Sequence, residues 1–175
     1  LLPLLHAHPE FRLVAVGSGS AKGRAVTEEV PGMDGCELLF QDIQPGDLAS
    51  IEADACVLAL PNGAAAPYVE VIDRTRPKTV IVDLGADYRF DRDWVYGQPE
   101  RFARSIRGAT RIANPGCYAT GAQLALAPIT SDLAGRPAVF GVSGYSGAGK
   151  KPSPKNDPDV LRDNLLPYSL VDHIH

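Results

Sequence analysis

The chain has 175 residues, of which 45% are hydrophobic and 22% charged, a composition typical of a globular protein. Its formal net charge of -4 argues against a nucleic-acid partner. No apolar run approaches the roughly 20 residues that a membrane-spanning helix needs, so no membrane segment is predicted. The three cysteines are widely spaced and odd in number, which predicts neither a disulfide framework nor a zinc site and fits a reducing compartment.

The first two-thirds of the sequence predicts a parallel sheet. Residues 11–16 favour a strand, and residues 54–60 and 79–84 are apolar runs typical of strands buried on both faces. Residues 64–76 have helical spacing and complete a β-α-β unit. The predicted fold class is therefore α/β and doubly wound, with ligands bound where the strands end. Those ends are residues 17–22, 60–63 and 85–89.

The turn after the first predicted strand carries Ser18, Ser20, Lys22 and Arg24. Enzymes that prefer NAD usually place a carboxylate at this position to hold the ribose 2′-hydroxyl. Hydroxyl and cationic groups suit a 2′-phosphate instead, which predicts NADP as the cofactor. A polar surface turn accounts for the same residues equally well when the segment is read alone.

Cys117 follows a Pro-Gly turn and precedes good helix formers, so it is predicted to lie at a turn-to-helix junction. The partial positive charge of a helix N-terminus favours the thiolate, which is the nucleophilic form of cysteine. Cys117 is therefore a candidate for covalent catalysis. The alternative is a small buried hydrophobe that caps a core helix.

The region after Cys117 has a different character. Residues 138–142 predict a strand, a glycine-rich turn and an irregular loop follow, and residues 159–165 predict a short helix. The turn nearly matches a phosphate-binding P-loop, but Lys151 stands where a Ser or Thr should hold magnesium. Because Pro152 and Pro154 also exclude the helix that a P-loop requires, the ATPase interpretation is rejected.

Two histidines, His173 and His175, are separated by one residue near the end of the sequence. On a strand or an extended turn both would face the same side, where they would suit acid–base chemistry beside a thiolate. Two surface histidines are the alternative. No third ligand stands at a convincing spacing, so no metal site is predicted.

Several motifs occur along the chain in the order typical of one protein family. Together they indicate a resemblance to that family, which no single motif would support. The chain resembles the N-acetyl-gamma-glutamyl-phosphate reductases of the semialdehyde-dehydrogenase type, in versions found in fungi and some bacteria. Gly85 is a departure, because many relatives have serine there. The usual opening strand and glycine-rich nucleotide loop are not seen, so the chain is expected to be an internal fragment. The matching stretches are residues 58–63, 82–90, 114–120, 140–149, 151–157, 167–170 and 173–175.

The resemblance implies a Rossmann-like sheet that lacks its first strand and nucleotide loop, followed by the start of an α+β substrate domain. The implied division is a partial NADP-binding domain at residues 1–117, and the cysteine helix with the start of the substrate or dimerisation domain at 118–175. The implied reaction is NADPH-dependent reduction of N-acetyl-L-glutamyl 5-phosphate to the 5-semialdehyde, in arginine biosynthesis. Cys117 would attack the acyl phosphate to form a thioester, and His175, favoured over His173, would handle protons.

The resemblance also implies binding roles. Asn114, Arg89 and Tyr168 would hold substrate, although a structural salt bridge from Arg89 to Asp87 or Asp91 is favoured slightly over that role. The cofactor contacts would come from Ser18, Ser20, Lys22, Pro61, Asn62, Gly63, Ser143, Gly144 and Gly147.

Other interpretations stay open. The chain could belong to an aspartate-semialdehyde-type dehydrogenase, act as a cysteine hydrolase that needs no nicotinamide, or be an inactive fold fragment. The expected partners are a small-molecule acyl phosphate and, in the full-length protein, further copies of itself. The expected location is the cytoplasm, or the mitochondrial matrix if the source is a fungus.

Overall fold

The structure is a computed structural model that describes residues 1–149 and 151–167, and the chain divides into two units, Leu1–Asn114 and Pro115–His175. Within the described residues, no helix is both long enough and apolar enough to cross a membrane. Short 3₁₀ helices lie at Pro45–Ala49, Ala127–Asp132 and Tyr145–Ala148. The other elements are α1 (Leu2–His6), β1 (Val16–Gly17), α2 (Val26–Glu29), β2 (Phe40–Gln41), β3 (Ala55–Leu58), α3 (Ala66–Thr75), β4 (Val80–Asp83), β5 (Val95–Tyr96), α4 (Pro99–Ile106), β6 (Arg111–Ala113) and α5 (Cys117–Leu126).

All the paired strands of the first unit are parallel. β1 pairs with β2, and the other four form a sheet in the order β3-β4-β6-β5. Val82 of β4 lies opposite Val57 of β3 on one side and Ile112 of β6 on the other, which fixes the register at the centre of the sheet. The predicted α/β class with parallel strands is confirmed.

The main core lies between this sheet and α3. Ile81, at the centre of β4, is fully buried and packs with Leu58 of β3 and with Val69 and Ile72 of α3. Burying side chains of this kind contributes roughly 1.5–3 kcal/mol each. The strands predicted within residues 54–60 and 79–84 are confirmed, and Leu58 and Ile81 lie on the face that packs against α3. The predicted burial on both faces is wrong in extent, because Val57, Val80 and Val82 on the other face are only half-buried.

The region of β1 and β2 has a separate small core of Val16, Ala21, Val26, Met33 and Phe40. The predicted strand at residues 11–16 is wrong in extent, because only Val16 and Gly17 pair with β2. Phe11 and Val14 are exposed, and β2 offers only Phe40 and Gln41 as partners. A strand without a partner cannot satisfy its backbone groups and does not persist.

In the second unit, α5 confirms the helix predicted after Cys117. The two other elements predicted there are wrong. Residues 138–142 form no strand, since Val139, Phe140 and Val142 are exposed and pair with nothing in the described part of the chain. Residues 159–163 form turns and residues 164–165 have no regular structure, so the predicted helix is absent there; the left-handed φ of 54° at Asp163 is incompatible with helical backbone.

Candidate functional site

The loops that follow β3 and β4 are tied to each other by side chains. The carboxylate of Asp87 accepts hydrogen bonds from the backbone N–H groups of Gly63 (2.7 Å) and Ala65 (3.2 Å). In return, Asn62 Oδ1 accepts a bond from the backbone N–H of Ala86 at 3.0 Å. The predicted cofactor loop at Pro61, Asn62 and Gly63 is therefore held in place by the loop that leads to Arg89.

Gly63 has the room that a close ligand contact requires. Its φ of 86° lies in the left-handed region, which favours glycine, and no atom lies within 4 Å of the position a Cβ would take. This open backbone lies at the carboxyl ends of parallel strands, where a nicotinamide dinucleotide binds in folds of this kind. The hydroxyl groups of the β1 loop and an unused guanidinium donor of Arg89 also suit such a ligand.

Asp83, the last residue of β4, is a buried carboxylate at the same edge. Only 1% of it is exposed; its Oδ1 accepts a bond from the N–H of Gly85 at 3.1 Å, and its Oδ2 has no partner among the described residues. Burial raises the pKa of this carboxyl above its ordinary value. The sequence does not single out this group, because an Asp at the end of an apolar run carries no sign that it is enclosed.

Arg89 is held by two backbone carbonyls. Its Nε donates to the oxygen of Asn114 at 2.9 Å, and its Nη2 donates to the oxygen of Leu84 at 3.3 Å. The favoured salt bridge from Arg89 to Asp87 or Asp91 is wrong, because Arg89 forms no ion pair within the described ranges. Its Nη1 is buried and has no hydrogen-bond partner there, so the two N–H groups of Nη1 remain for an acceptor such as an anion.

The β1 loop holds hydroxyl and charged groups close together. Ser18 Oγ and Ser20 Oγ are 3.4 Å apart, and Lys22 Nζ lies 3.9 Å from the carboxylate of Asp42. Asp42 follows β2, and the sequence does not reveal it as a neighbour of the loop because that place depends on how the two strands pair. The only signal in the sequence is that Asp42 directly follows residues 40–41, which form the strand paired with β1.

Cys117 is the first residue of α5, which begins after Gly116 in extended conformation. Cys117 is exposed, whereas Cys36 and Cys56 are half-buried, and burial raises the pKa of the Cys56 thiol. Thr120 fixes the first turn, since its hydroxyl donates to the oxygen of Gly116 at 2.9 Å. The alternative in which Cys117 is a buried hydrophobe is wrong, and the predicted turn-to-helix junction is confirmed.

The glycine-rich turn of the second unit closes on itself. The N–H of Gly147 donates to the oxygen of Gly144 at 3.0 Å, and a Cβ on Gly147 would collide with Ser143 Oγ. Asn156 supports the turn by donating to the oxygens of Gly149 (2.7 Å) and Lys151 (2.8 Å). Among the described residues no helix follows this turn, in agreement with the rejected P-loop.

Three predicted site residues, Tyr168, His173 and His175, lie outside the described residues, as does Lys150. Their roles stay predictions. Within the first unit, the structure brings Asn62, Gly63, Arg89 and the backbone of Asn114 to the carboxyl edge of one sheet. Ser18, Ser20 and Lys22 share the loop after β1.

Residues 1–109 match the family model described as semialdehyde dehydrogenase, NAD binding domain. The chain belongs to the semialdehyde dehydrogenase family. Residues 117–175 match a second model of the same family, described as semialdehyde dehydrogenase, dimerisation domain. This membership agrees with the parallel α/β sheet and with a nicotinamide cofactor.

Relatives within this family are named N-acetyl-gamma-glutamyl-phosphate reductase. The one from Xylella fastidiosa strain 9a5c is 53% identical over 175 residues, which is 100% of this chain and 52% of the relative. One from Xanthomonas campestris pv. campestris strain ATCC 33913 is 50% identical over 100% of this chain and 55% of its own length. The chain thus spans about half the length of the curated relatives it matches.

Solved semialdehyde dehydrogenases share the fold at low sequence identity. Aspartate semialdehyde dehydrogenase II from Vibrio cholerae has a TM-score of 0.56 and 20% identity, over 75% of this chain and 38% of that one. The same enzyme complexed with ASA gives a TM-score of 0.55 and 19% identity, over 69% and 38% of the two chains. At this identity the likeness concerns the fold alone.

Proposed function

We propose that the whole protein is an N-acetyl-gamma-glutamyl-phosphate reductase, which reduces N-acetyl-L-glutamyl 5-phosphate to the 5-semialdehyde in arginine biosynthesis. The observation that carries this proposal is an exposed cysteine, Cys117, at the first position of α5 in a chain about half identical to reductases of that name.

Cys117 is the proposed nucleophile. Its position as the first residue of a ten-residue helix supports this role, because a helix N-terminus carries partial positive charge and N–H groups that lack intrahelical partners. The thiolate would attack the acyl carbon of the substrate, forming a carbon–sulfur bond as the carbon–oxygen bond to phosphate breaks. The product of this step is a thioester on Cys117, and phosphate leaves with the electron pair.

NADPH, when bound, supplies the hydride that reduces the thioester carbon. Ser18, Ser20 and Lys22 would hold the 2′-phosphate, and Pro61, Asn62 and Gly63 would line the path of the dinucleotide. The fixed geometry of the second loop supports this role, because a loop tied by Asp87 loses little entropy when a ligand orders it. In the second unit, Ser143, Gly144 and Gly147 would contact the nicotinamide side or a phosphate.

Arg89 is the proposed anion-binding residue of the first unit. Its carbonyl contacts fix the guanidinium plane, and its unpaired Nη1 retains a donor for a substrate oxygen. Asn114 and Tyr168 would complete the substrate contacts. His175, or His173, would accept the thiol proton and donate it to the carbonyl oxygen as the thioester carbon is reduced. The same histidine would take that proton back as the thiohemiacetal collapses to the semialdehyde and the free thiolate.

The remaining expectations are part of the same proposal. The matching of residues 117–175 to a dimerisation domain supports a homo-oligomer. The relatives from Xylella and Xanthomonas are bacterial, which supports a cytoplasmic location rather than the mitochondrial matrix.

The test uses the full-length protein and the reverse reaction. Phosphate-dependent oxidation of N-acetylglutamate 5-semialdehyde is followed through the absorbance of NADPH, with aspartate semialdehyde as the competing substrate. We expect activity with the N-acetylated substrate and a loss of at least about a thousandfold in Cys117→Ser, since a serine hydroxyl is a far weaker nucleophile at neutral pH.

Cys36→Ser is the matched control, because Cys36 is half-buried and packs against the core near β1. It should retain most of the activity. Substantial activity in Cys117→Ser would refute the nucleophile assignment, and a preference for aspartate semialdehyde would refute the substrate. Ester cleavage without any need for nicotinamide would instead identify a cysteine hydrolase.

A further inference from the structure

We propose that Asp42 is a specificity-determining residue whose carboxylate limits the preference of the cofactor site for NADP over NAD. This inference rests on the proposed function, because it assumes that the loop after β1 meets the adenosine ribose. It concerns a residue that follows β2 and that takes no other part in the proposed chemistry.

The pairing of β1 with β2 brings Asp42 to the loop. Gly17 lies opposite Gln41 in a parallel register, and the N–H of Ser18 donates to the oxygen of Gln41 at 2.7 Å. The residues that follow, Ser18 and Asp42, therefore leave the same edge of this small sheet. Asp42 Oδ1 lies 3.4 Å from the position that a Cβ on Gly19 would take.

The carboxylate of Asp42 is oriented by two neighbours. Gln44 Nε2 donates to its Oδ1 at 2.8 Å, and Lys22 Nζ lies 3.9 Å from its Oδ2. Both charged side chains are substantially exposed, with relative accessibilities of 69% for Lys22 and 41% for Asp42. The carboxylate thus reaches solvent beside the loop that is proposed to meet the ribose.

The second cationic side chain of the loop, Arg24, is also paired with a carboxylate. Arg24 Nη1 contacts Glu29 Oε1 at 2.6 Å, and its Nη2 donates to the oxygen of Ser20 at 3.4 Å. Lys22 and Arg24 are therefore matched by Asp42 and Glu29, so the loop has no excess positive charge. A 2′-phosphate brings roughly two negative charges at neutral pH, and it is favoured by unmatched cations.

The two cofactors differ only at the group that Asp42 would meet. The 2′-hydroxyl of NAD can donate a hydrogen bond to a carboxylate, whereas the 2′-phosphate of NADP is repelled by it. Asp42 therefore favours NAD, while Lys22 and the serines favour NADP. Removing the negative charge of Asp42 should shift the balance towards NADP and leave Lys22 unmatched.

The experiment measures the dissociation constants of NADP and NAD for the full-length protein by calorimetry, at low and at high salt. We expect Asp42→Asn to raise the ratio of NADP affinity to NAD affinity about tenfold at low salt, and less at high salt because exposed charges are screened. Asp42→Ala is a second variant that removes the same charge without an amide.

Asp34→Asn is the matched control. Asp34 is exposed in the turn of residues 31–35, and its carboxylate makes no hydrogen bond or ion pair within the described ranges. It should leave the affinity ratio unchanged. An unchanged ratio in both Asp42 variants, or an equal shift in Asp34→Asn, overturns this inference alone. Failure of the wild-type protein to bind either cofactor overturns the proposed function together with it.

Discussion

Removal of the Asp87 carboxylate tests whether the two loops at the sheet edge form one structural unit. Asp87 accepts bonds from Gly63 N–H at 2.7 Å and from Ala65 N–H at 3.2 Å, just ahead of α3. Gly63 is exposed, so water can replace the lost acceptor at its amide. Ala65 is only 1% exposed, so its amide would stay largely unsatisfied.

The expected loss of stability follows from these two contacts. An unsatisfied buried amide costs about 1–3 kcal/mol, and loss of a side-chain acceptor ahead of a helix costs about 1 kcal/mol. Because the two figures describe overlapping contacts, we expect Asp87→Ala to lower the free energy of unfolding by about 2 kcal/mol. Asp87→Asn should lose about half of that, since an amide oxygen still accepts one bond.

Urea unfolding of the full-length protein, with constant slope across the variants, gives these differences directly. Asp93→Ala is the control, because Asp93 is also exposed and its carboxylate makes no hydrogen bond within the described residues. If Asp87→Ala were within about 0.5 kcal/mol of Asp93→Ala, the loop contacts would contribute nothing measurable and the reasoning would fail.

Two further predictions concern the end of β4. Burial raises the pKa of Asp83 in the folded protein, so the folded state binds the proton more tightly than the unfolded chain, whose Asp titrates near pH 3.9. The free energy of unfolding should therefore fall as the pH rises from about 4 through the raised pKa of Asp83. The urea midpoint of the wild-type protein should show this fall, and that of Asp83→Asn should not. Parallel pH profiles of the two midpoints would contradict the prediction. At Gly85 a Cβ would lie 3.1 Å from Asp83 Oδ1, and a serine hydroxyl there could donate to the unpartnered Oδ2. We expect Gly85→Ser to be more stable than Gly85→Ala by about 1 kcal/mol in urea, a comparison in which both variants carry the same Cβ; equal stability would show that the hydroxyl does not reach Asp83.

The β3-α3-β4 unit could be predicted from the sequence because its hydrophobic pattern extends over enough residues. The runs that contain β3 and β4 are apolar and continuous, and α3 between them has helical spacing, so burial on both faces was the natural expectation. β5 and β6 were missed. β5 has two residues, and β6 begins with Arg111, so neither shows a period that favours a strand.

The candidate site divides in the same way. Cys117 was predictable, because a Pro-Gly turn and the helix formers after it are local signals. The contacts of Asp87, Asp42 and Arg89 were not, because each joins residues that only the paired strands bring together. The expected salt bridge of Arg89 failed for that reason: backbone carbonyls at the ends of two strands lie closer to the guanidinium than the acidic side chains do.

The strand order β3-β4-β6-β5 has a consequence for how the chain is made. β5 emerges from the ribosome before β6, but within the described sheet it hydrogen-bonds only to β6. The backbone groups of β5 therefore have no partner strand in this sheet until α4 and β6 have been synthesised. The strands of the sheet consequently cannot pair strictly in the order of translation. During that interval β4 exposes an unpaired edge, which is the position at which a second chain could join.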